Sequence, residues 1–212
     1  MTLVKVCGLT TPETVDAALD AGADYIGFVL YPRSPRALTA EQASPLIARA
    51  RGRARTVVLL VDPDEATVNA AQALAPDLIQ LHGRETPETV TALRASGNVP
   101  VIKALPVRTA SDLNAAADYA TEHLMFDAKP PDDADRPGGH GAPFDWTLLS
   151  KLDPPAPIWF LAGGLTPANV AEAIRITDAP AVDVSSGVES APGVKDPALI
   201  AAFVRAAKAV QP

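Results

Sequence analysis

An α/β fold closed into a (βα)8 barrel of the TIM type, with eight parallel strands and outer helices, is what this sequence predicts, and three observations carry the prediction. Short β-branched runs alternate with alanine-rich stretches of helical period, the mark of repeated strand-helix units around a parallel sheet. Eight such units fit within the 212 residues, at roughly 26 residues each, near the lower end for a barrel that commonly takes about 250. No Gly-x-Gly-x-x-Gly follows the first strand, so an open doubly wound sheet lacks its usual support.

Strands are expected over residues 3–6, 25–30, 56–61, 78–80, 101–103, 124–126, 158–161 and 181–184. The helices between them should begin at Thr11-Pro12-Glu13, Thr39-Ala40-Glu41, Asp62-Pro63-Asp64, Thr86-Pro87-Glu88, Thr109, Thr166-Pro167 and Asp196-Pro197. Ser, Thr or Asp at such a position accepts from an orphan amide, and a following proline pre-sets φ for the first turn. Gly22, within Ala21-Gly22-Ala23-Asp24, supplies a helix stop before the second strand. The 21 prolines are scattered over many turns, and the polar stretch 129–143 is expected as a long functional loop within one domain spanning 1–212.

Composition narrows the function. With 48% hydrophobic and 20% charged residues, the chain has no apolar run approaching the length needed to span a bilayer. Met1 leads directly into strand-like sequence without a basic start or apolar signal core, so the cytoplasm is the expected location. A lone cysteine forms no internal disulfide, which fits a reducing compartment. A formal net charge of -7 opposes a nucleic-acid footprint. An anionic ligand must therefore be held by local groups.

In such a barrel the residues just after each strand converge on one face, where the chemistry is built. Those positions carry Cys7-Gly8, Pro32-Arg33-Ser34-Pro35-Arg36, His82-Gly83, Asp127, Ala162-Gly163-Gly164 and Ser185-Ser186-Gly187. Cys7 reads either as a small buried hydrophobe or as a reactive thiol. Gly163-Gly164 and Ser185-Ser186-Gly187 follow strands seven and eight, where small residues leave backbone amides open to a phosphate; two such loops at adjacent strand ends favour that role over tight turns. His82 divides between ligand contact and a structural bond, and Asp183 between orienting a substrate and closing the barrel mouth. The histidines at 82, 123 and 140 show no paired spacing, so no metal is expected. His123 is read as preceding a strand on the opposite rim.

Over essentially its whole length the chain resembles the phosphoribosylanthranilate isomerase family of tryptophan biosynthesis. The motifs that carry the resemblance are Lys5-Val6-Cys7-Gly8-Leu9, Gly27-Phe28-Val29 with Ser34-Pro35-Arg36, Gln80-Leu81-His82-Gly83, Phe144-Asp145-Trp146, Leu161-Ala162-Gly163-Gly164-Leu165, Val182-Asp183-Val184-Ser185-Ser186-Gly187-Val188-Glu189, and Gly193-Val194-Lys195-Asp196. Gly138-Gly139-His140-Gly141 departs from the family, which usually has Thr where His140 stands.

The resemblance implies an Amadori rearrangement of a phosphorylated aminosugar, run by general acid-base catalysis without a cofactor. It implies Cys7 as the base, Asp127 as the acid and Arg36 as the partner of the anthranilate carboxylate. His82, Asp183 and the phosphate loops, Gly163, Gly164, Ser185, Ser186 and Gly187, complete the expected substrate site. Free Cys titrates at about 8.5 and free Asp at about 3.9, so the thiol needs cationic or dipolar help and the carboxyl needs desolvation or an anionic neighbour. The related aminoaldose isomerase of histidine biosynthesis expects a carboxylate where Cys7 stands. A non-catalytic phosphosugar-binding barrel would not need Cys7 or Asp127. The partner expected is a small phosphorylated aminosugar, with no nucleic acid and no membrane, acting on a monomer or a homodimer.

Overall fold

The computed structural model describes residues 1–97, 99–128, 145–150 and 158–210. Eight strands, β1 (Leu3–Cys7), β2 (Tyr25–Val29), β3 (Arg55–Leu60), β4 (Leu78–Leu81), β5 (Val101–Val107), β6 (His123–Ala128), β7 (Ile158–Leu161) and β8 (Ala181–Val184), pair in chain order. All neighbours are parallel, and β1 closes on β8 through Leu3–Ala181 to Val6–Val184, making a closed barrel. A short antiparallel hairpin, β9 (Glu189–Ala191) with β10 (Val194–Lys195), follows β8.

Six α-helices lie among the described residues: α1 (Pro12–Asp20), α2 (Ala40–Ala50), α3 (Glu65–Ala73), α4 (Pro87–Gly97), α5 (Val170–Thr177) and α6 (Pro197–Lys208). None is long and apolar enough to cross a membrane. The first, second and last start where the caps predict. Thr11 accepts from the Thr14 amide, Thr39 forms a reciprocal box with Gln42, and Asp196 accepts from Ala198 and Leu199.

Two starts differ from expectation, and a third helix differs in kind. The cap of α3 is Asp64, because Asp62 turns the chain with φ of 43°. Thr109 is the cap expected, but the helix it opens, Ala110–Asp118, is 3-10, with Asp112 Oδ2 accepting from the Arg108 and Thr109 amides. α5 waits until Val170, since Asn169 bonds the Thr166 amide and the Gly164 carbonyl and holds the preceding loop in place. β5 runs on to Val107, past Pro106, because its ladder with β6 continues through Pro106–Asp127.

Period-two alternation divides each strand between two cores. Val4, Val6, Ile26, Phe28, Val58, Leu60, Phe126 and Val182 face outward and pack with the helices. The lower barrel interior is apolar, filled by Tyr25, Val57, Leu78, Ile102, Met125, Phe160 and Ala181. Above it Cys7, Val29 and Leu59 continue the apolar lining, with Tyr31 and Val61 packed against them. The remaining inward positions of β1, β4, β6 and β8 carry Lys5, Gln80, Asp127 and Asp183, all at least nine-tenths buried. His123 is itself the first residue of β6, tilted against Phe160 in the barrel's lower end, rather than lying ahead of the strand.

Candidate active site

The polar residues inside the upper barrel form two groups. The first surrounds Cys7, the last residue of β1, which is 3% exposed. Alternation in Leu3-Val4-Lys5-Val6-Cys7 places Lys5 on the same inward face. Gly27 opposes Cys7 in the ladder, and a Cβ there would lie 2.8 Å from Cys7 Sγ and 3.2 Å from Lys5 Nζ, so the missing side chain is what lets thiol and ammonium share the space. Lys5 Nζ donates to Asp183 Oδ1 at 2.7 Å, within the barrel. Burial alone would push the Lys5 ammonium down; the Asp183 carboxylate and the Cys7 sulfur outweigh it and hold its pKa above the ordinary lysine value.

Beside this pair lies Arg36, in the loop after β2, 5% exposed. Its Nε and Nη2 donate to the two oxygens of Glu189 at 2.6 and 2.8 Å, a bidentate pair that fixes the guanidinium plane. Glu189 also accepts from Lys195 Nζ at 2.5 Å, and Lys195 reaches the Ser185 carbonyl at 3.0 Å. Burial raises the Glu189 carboxyl, but Arg36 and Lys195 overcome it and leave the group below the ordinary glutamate range. Lys195 moves the other way: burial pushes its ammonium down, and Glu189 only partly offsets this. The Arg36 stem crosses directly over Gly8, where a Cβ would sit 2.5 Å from Arg36 Cδ.

The second group surrounds Asp127, the inward residue near the end of β6. Its Oδ2 meets His82 Nε2 at 3.0 Å, and its Oδ1 accepts from the Ala128 amide at 2.8 Å. His82, just past β4, has its other ring nitrogen 2.8 Å from Gln80 Nε2. The loop carrying His82 is buttressed from outside the barrel: Glu85 accepts from the Gly83 and Asp62 amides and from the buried Lys103 at 2.6 Å.

The two glycine loops meet between these groups. Gly163 has φ of 87° and a Cβ there would lie 2.5 Å from the Ala128 amide nitrogen, so both the backbone region and the approach require glycine. A Cβ on Gly187 would overlap the Leu165 carbonyl at 1.9 Å, so the loop after β8 rests directly on the loop after β7. The amides of Gly164, Ser186 and Gly187 make no hydrogen bond to any described residue, leaving a cluster of donors at the mouth.

A family model described as N-(5'phosphoribosyl)anthranilate (PRA) isomerase matches residues 4–206. The chain belongs to this family. The N-(5'-phosphoribosyl)anthranilate isomerase of Azorhizobium caulinodans is 54% identical over 211 residues, covering 98% of this chain and 92% of its own. The structure of phosphoribosyl anthranilate isomerase from Thermotoga maritima matches with a TM-score of 0.88 at 33% identity, over 98% of this chain and 99% of that one. A phosphoribosyl anthranilate isomerase in complex with reduced 1-(o-carboxyphenylamino)-1-deoxyribulose 5-phosphate matches with a TM-score of 0.86 at 32% identity, over 98% and 99% of the two chains.

For a phosphoribosylanthranilate isomerase, the expected site residues gather at one barrel mouth: Cys7, Arg36, Asp183 and Ser185 on one side, His82 and Asp127 on the other, with Gly163, Gly164, Ser186 and Gly187 between. The motif containing His140 lies outside the described residues. Sequence reasoning gave no separate role to Lys5, Gln80, Glu189 or Lys195. Lys5 and Gln80 were accessible from alternation alone, as inward polar residues two positions before Cys7 and His82. Glu189 and Lys195 were not, because the hairpin that brings them to Arg36 has no local signature.

Proposed function

We propose that this chain performs the isomerisation of its family through an acid and a base on opposite walls of the barrel mouth, converting N-(5'-phosphoribosyl)anthranilate to 1-(2-carboxyphenylamino)-1-deoxyribulose 5-phosphate. Asp127 gives its proton to the furanose ring oxygen; the bond from C1 to that oxygen breaks as the anthranilate nitrogen supplies electrons, leaving a Schiff base. The Cys7 thiolate then takes the C2 proton. The C2–H electrons form the C1–C2 double bond of an enolamine, which tautomerises to the ketone.

The observation that best supports this reading is the unequal surroundings of the two groups. Lys5 offers a buried positive charge to the sulfur. The partners of Asp127 are a backbone amide and an imidazole, with no fixed cation among its hydrogen bonds to described residues. Arg36, its plane held by Glu189, offers its outer face to the anthranilate carboxylate. The phosphate takes the amides of Gly164, Ser186 and Gly187, with Gly163 and Ser185 shaping the cradle, and His82 and Asp183 orient the sugar between acid and base. The thiol at Cys7 disfavours the histidine-pathway aminoaldose. We propose further that residues 1–212 act as one domain, in the cytoplasm, as a monomer or homodimer.

The test is to generate phosphoribosylanthranilate in place and follow loss of its anthranilate fluorescence. The intact chain should convert it without added cofactor, while Cys7→Ser and Asp127→Asn should be nearly inactive. An inert intact protein that still binds the reduced product analogue would overturn the reading in favour of a binding barrel.

A further inference from the structure

The Gln80 side chain lies inside the barrel with no solvent exposure, and no step of the reaction above uses it. Its Nε2 is 2.8 Å from His82 Nδ1 and 3.4 Å from Met125 Sδ, while its Oε1 is buried without a partner among the described residues. A thioether accepts weakly and donates nothing. The end of the amide facing Met125 is therefore the NH2 end, and reversing the amide would strand two donors instead of one acceptor. The same NH2 group points at His82 Nδ1, which must then be an acceptor. The ring proton is left on Nε2, directed at Asp127 Oδ2, 3.0 Å away.

We infer that Gln80 is a positioning residue for the acid: it fixes His82 as the neutral Nε2–H tautomer and so keeps the proton of Asp127 available to substrate. The inference rests on Asp127 as the acid. A histidine free to present a bare Nε2 would compete for that proton, because imidazole is the stronger base, at about 6.5 against about 3.9 for a carboxylate. The proton would settle as an imidazolium-carboxylate pair. With an amide donor against Nδ1, the imidazolium would set N–H against N–H, so His82 donates and does not take. Asp127 Oδ2 accepts from Nε2–H and Oδ1 accepts from the Ala128 amide, so an acidic proton on the carboxyl occupies a remaining lone pair. It leaves to the ring oxygen, and the resulting carboxylate keeps both donors.

Nitrogen NMR of the native protein labelled at histidine tests this without any folding risk, with His82 signals assigned by their loss in His82→Asn. The expected spectrum has a pyridine-type Nδ1 and a pyrrole-type Nε2; a protonated Nδ1 would overturn the inference even if the enzyme is fully active. Gln80→Glu supplies the second readout, since a carboxylate there accepts from Nδ1–H and reverses the ring. Its kcat should fall at least about tenfold, with binding of the reduced product analogue changed less than about twofold. Reversal of the tautomer with kcat unchanged would also overturn it. Loss of activity in the intact chain would instead defeat the proposed function and leave the tautomer spectrum as an independent answer.

Discussion

The two walls of the barrel mouth are built from different materials. Around Cys7, on β1 beside β8, the partners are charged: Lys5 against Asp183, and Arg36 and Lys195 against Glu189. Around Asp127, on β6 facing β4, the partners are an imidazole, a backbone amide and, behind the imidazole, a carboxamide. Fixed charge lies beside the thiol, whereas the carboxyl meets only dipoles of a backbone amide and an imidazole among its hydrogen bonds to described residues. One strand framework thus carries the proposed base and the proposed acid a few strands apart, each in a different kind of surrounding.

Removing either reacting group should have the largest effect. Cys7→Ser and Asp127→Asn should each lower kcat by about 10²- to 10⁴-fold, read in the fluorescence assay, with the reduced product analogue still bound. Equal retention of activity by Cys7→Ser would show that the charged wall does not serve the thiol.

Lys5→Met sharpens the same contrast, because it strips the thiol of its ammonium and leaves Asp183 buried without a partner. A loss of about 3–5 kcal/mol in stability is expected from an unpaired buried charge, with slower alkylation of Cys7 by iodoacetamide at neutral pH. In Lys5→Met with Asp183→Leu much of the stability should return while alkylation stays slow. If alkylation is unchanged in both, Lys5 serves the fold alone.

Glu189→Gln is expected to do less. It weakens the bidentate hold on Arg36, so KM should rise about tenfold, equivalent to about 1.4 kcal/mol, with kcat nearly unchanged. The substitution also removes an acid-sensitive term. Because the folded Glu189 carboxyl lies below its ordinary range, its contribution to stability is complete above that range and is lost as pH falls through the folded value. Denaturation of Glu189→Gln should accordingly depend less on pH in acid than that of the native chain.

How much of this could be read in the sequence follows from how local each determinant is. The strands at 158–161 and 181–184 were placed to the residue because β-branched and aromatic runs ended at glycine or serine loops. β5 runs four residues past the expected 101–103, because pairing with β6 carries the strand through Pro106, a contact that nothing local in the sequence announces. The candidate site residues share one mouth because barrel topology sends every strand end to one face, while the roles expected of them come from the family resemblance. Their partners depend on long-range contacts such as Arg36 with Glu189, which are 153 residues apart.

The smallest effect belongs to the lower end of the barrel, where polarity serves no proposed chemistry. His123 is 7% exposed, and its Nδ1 is buried without a partner among the described residues. Burial lowers its pKa, Glu122 opposes this, and Arg55 adds to the lowering. A depressed histidine binds its proton more readily unfolded than folded, so the folded chain loses stability as pH falls below about 6.5, the ordinary value, toward the lower folded one. The slope for one unbalanced proton is at most about 1.4 kcal/mol per pH unit. His123→Phe keeps an aromatic ring beside Phe160 and removes the proton, so denaturation midpoints between about pH 7 and 5 should vary less than in the native chain, with kcat unchanged. An identical pH dependence in the two proteins would mean that His123 is no more reluctant to ionise in the barrel than in the unfolded chain.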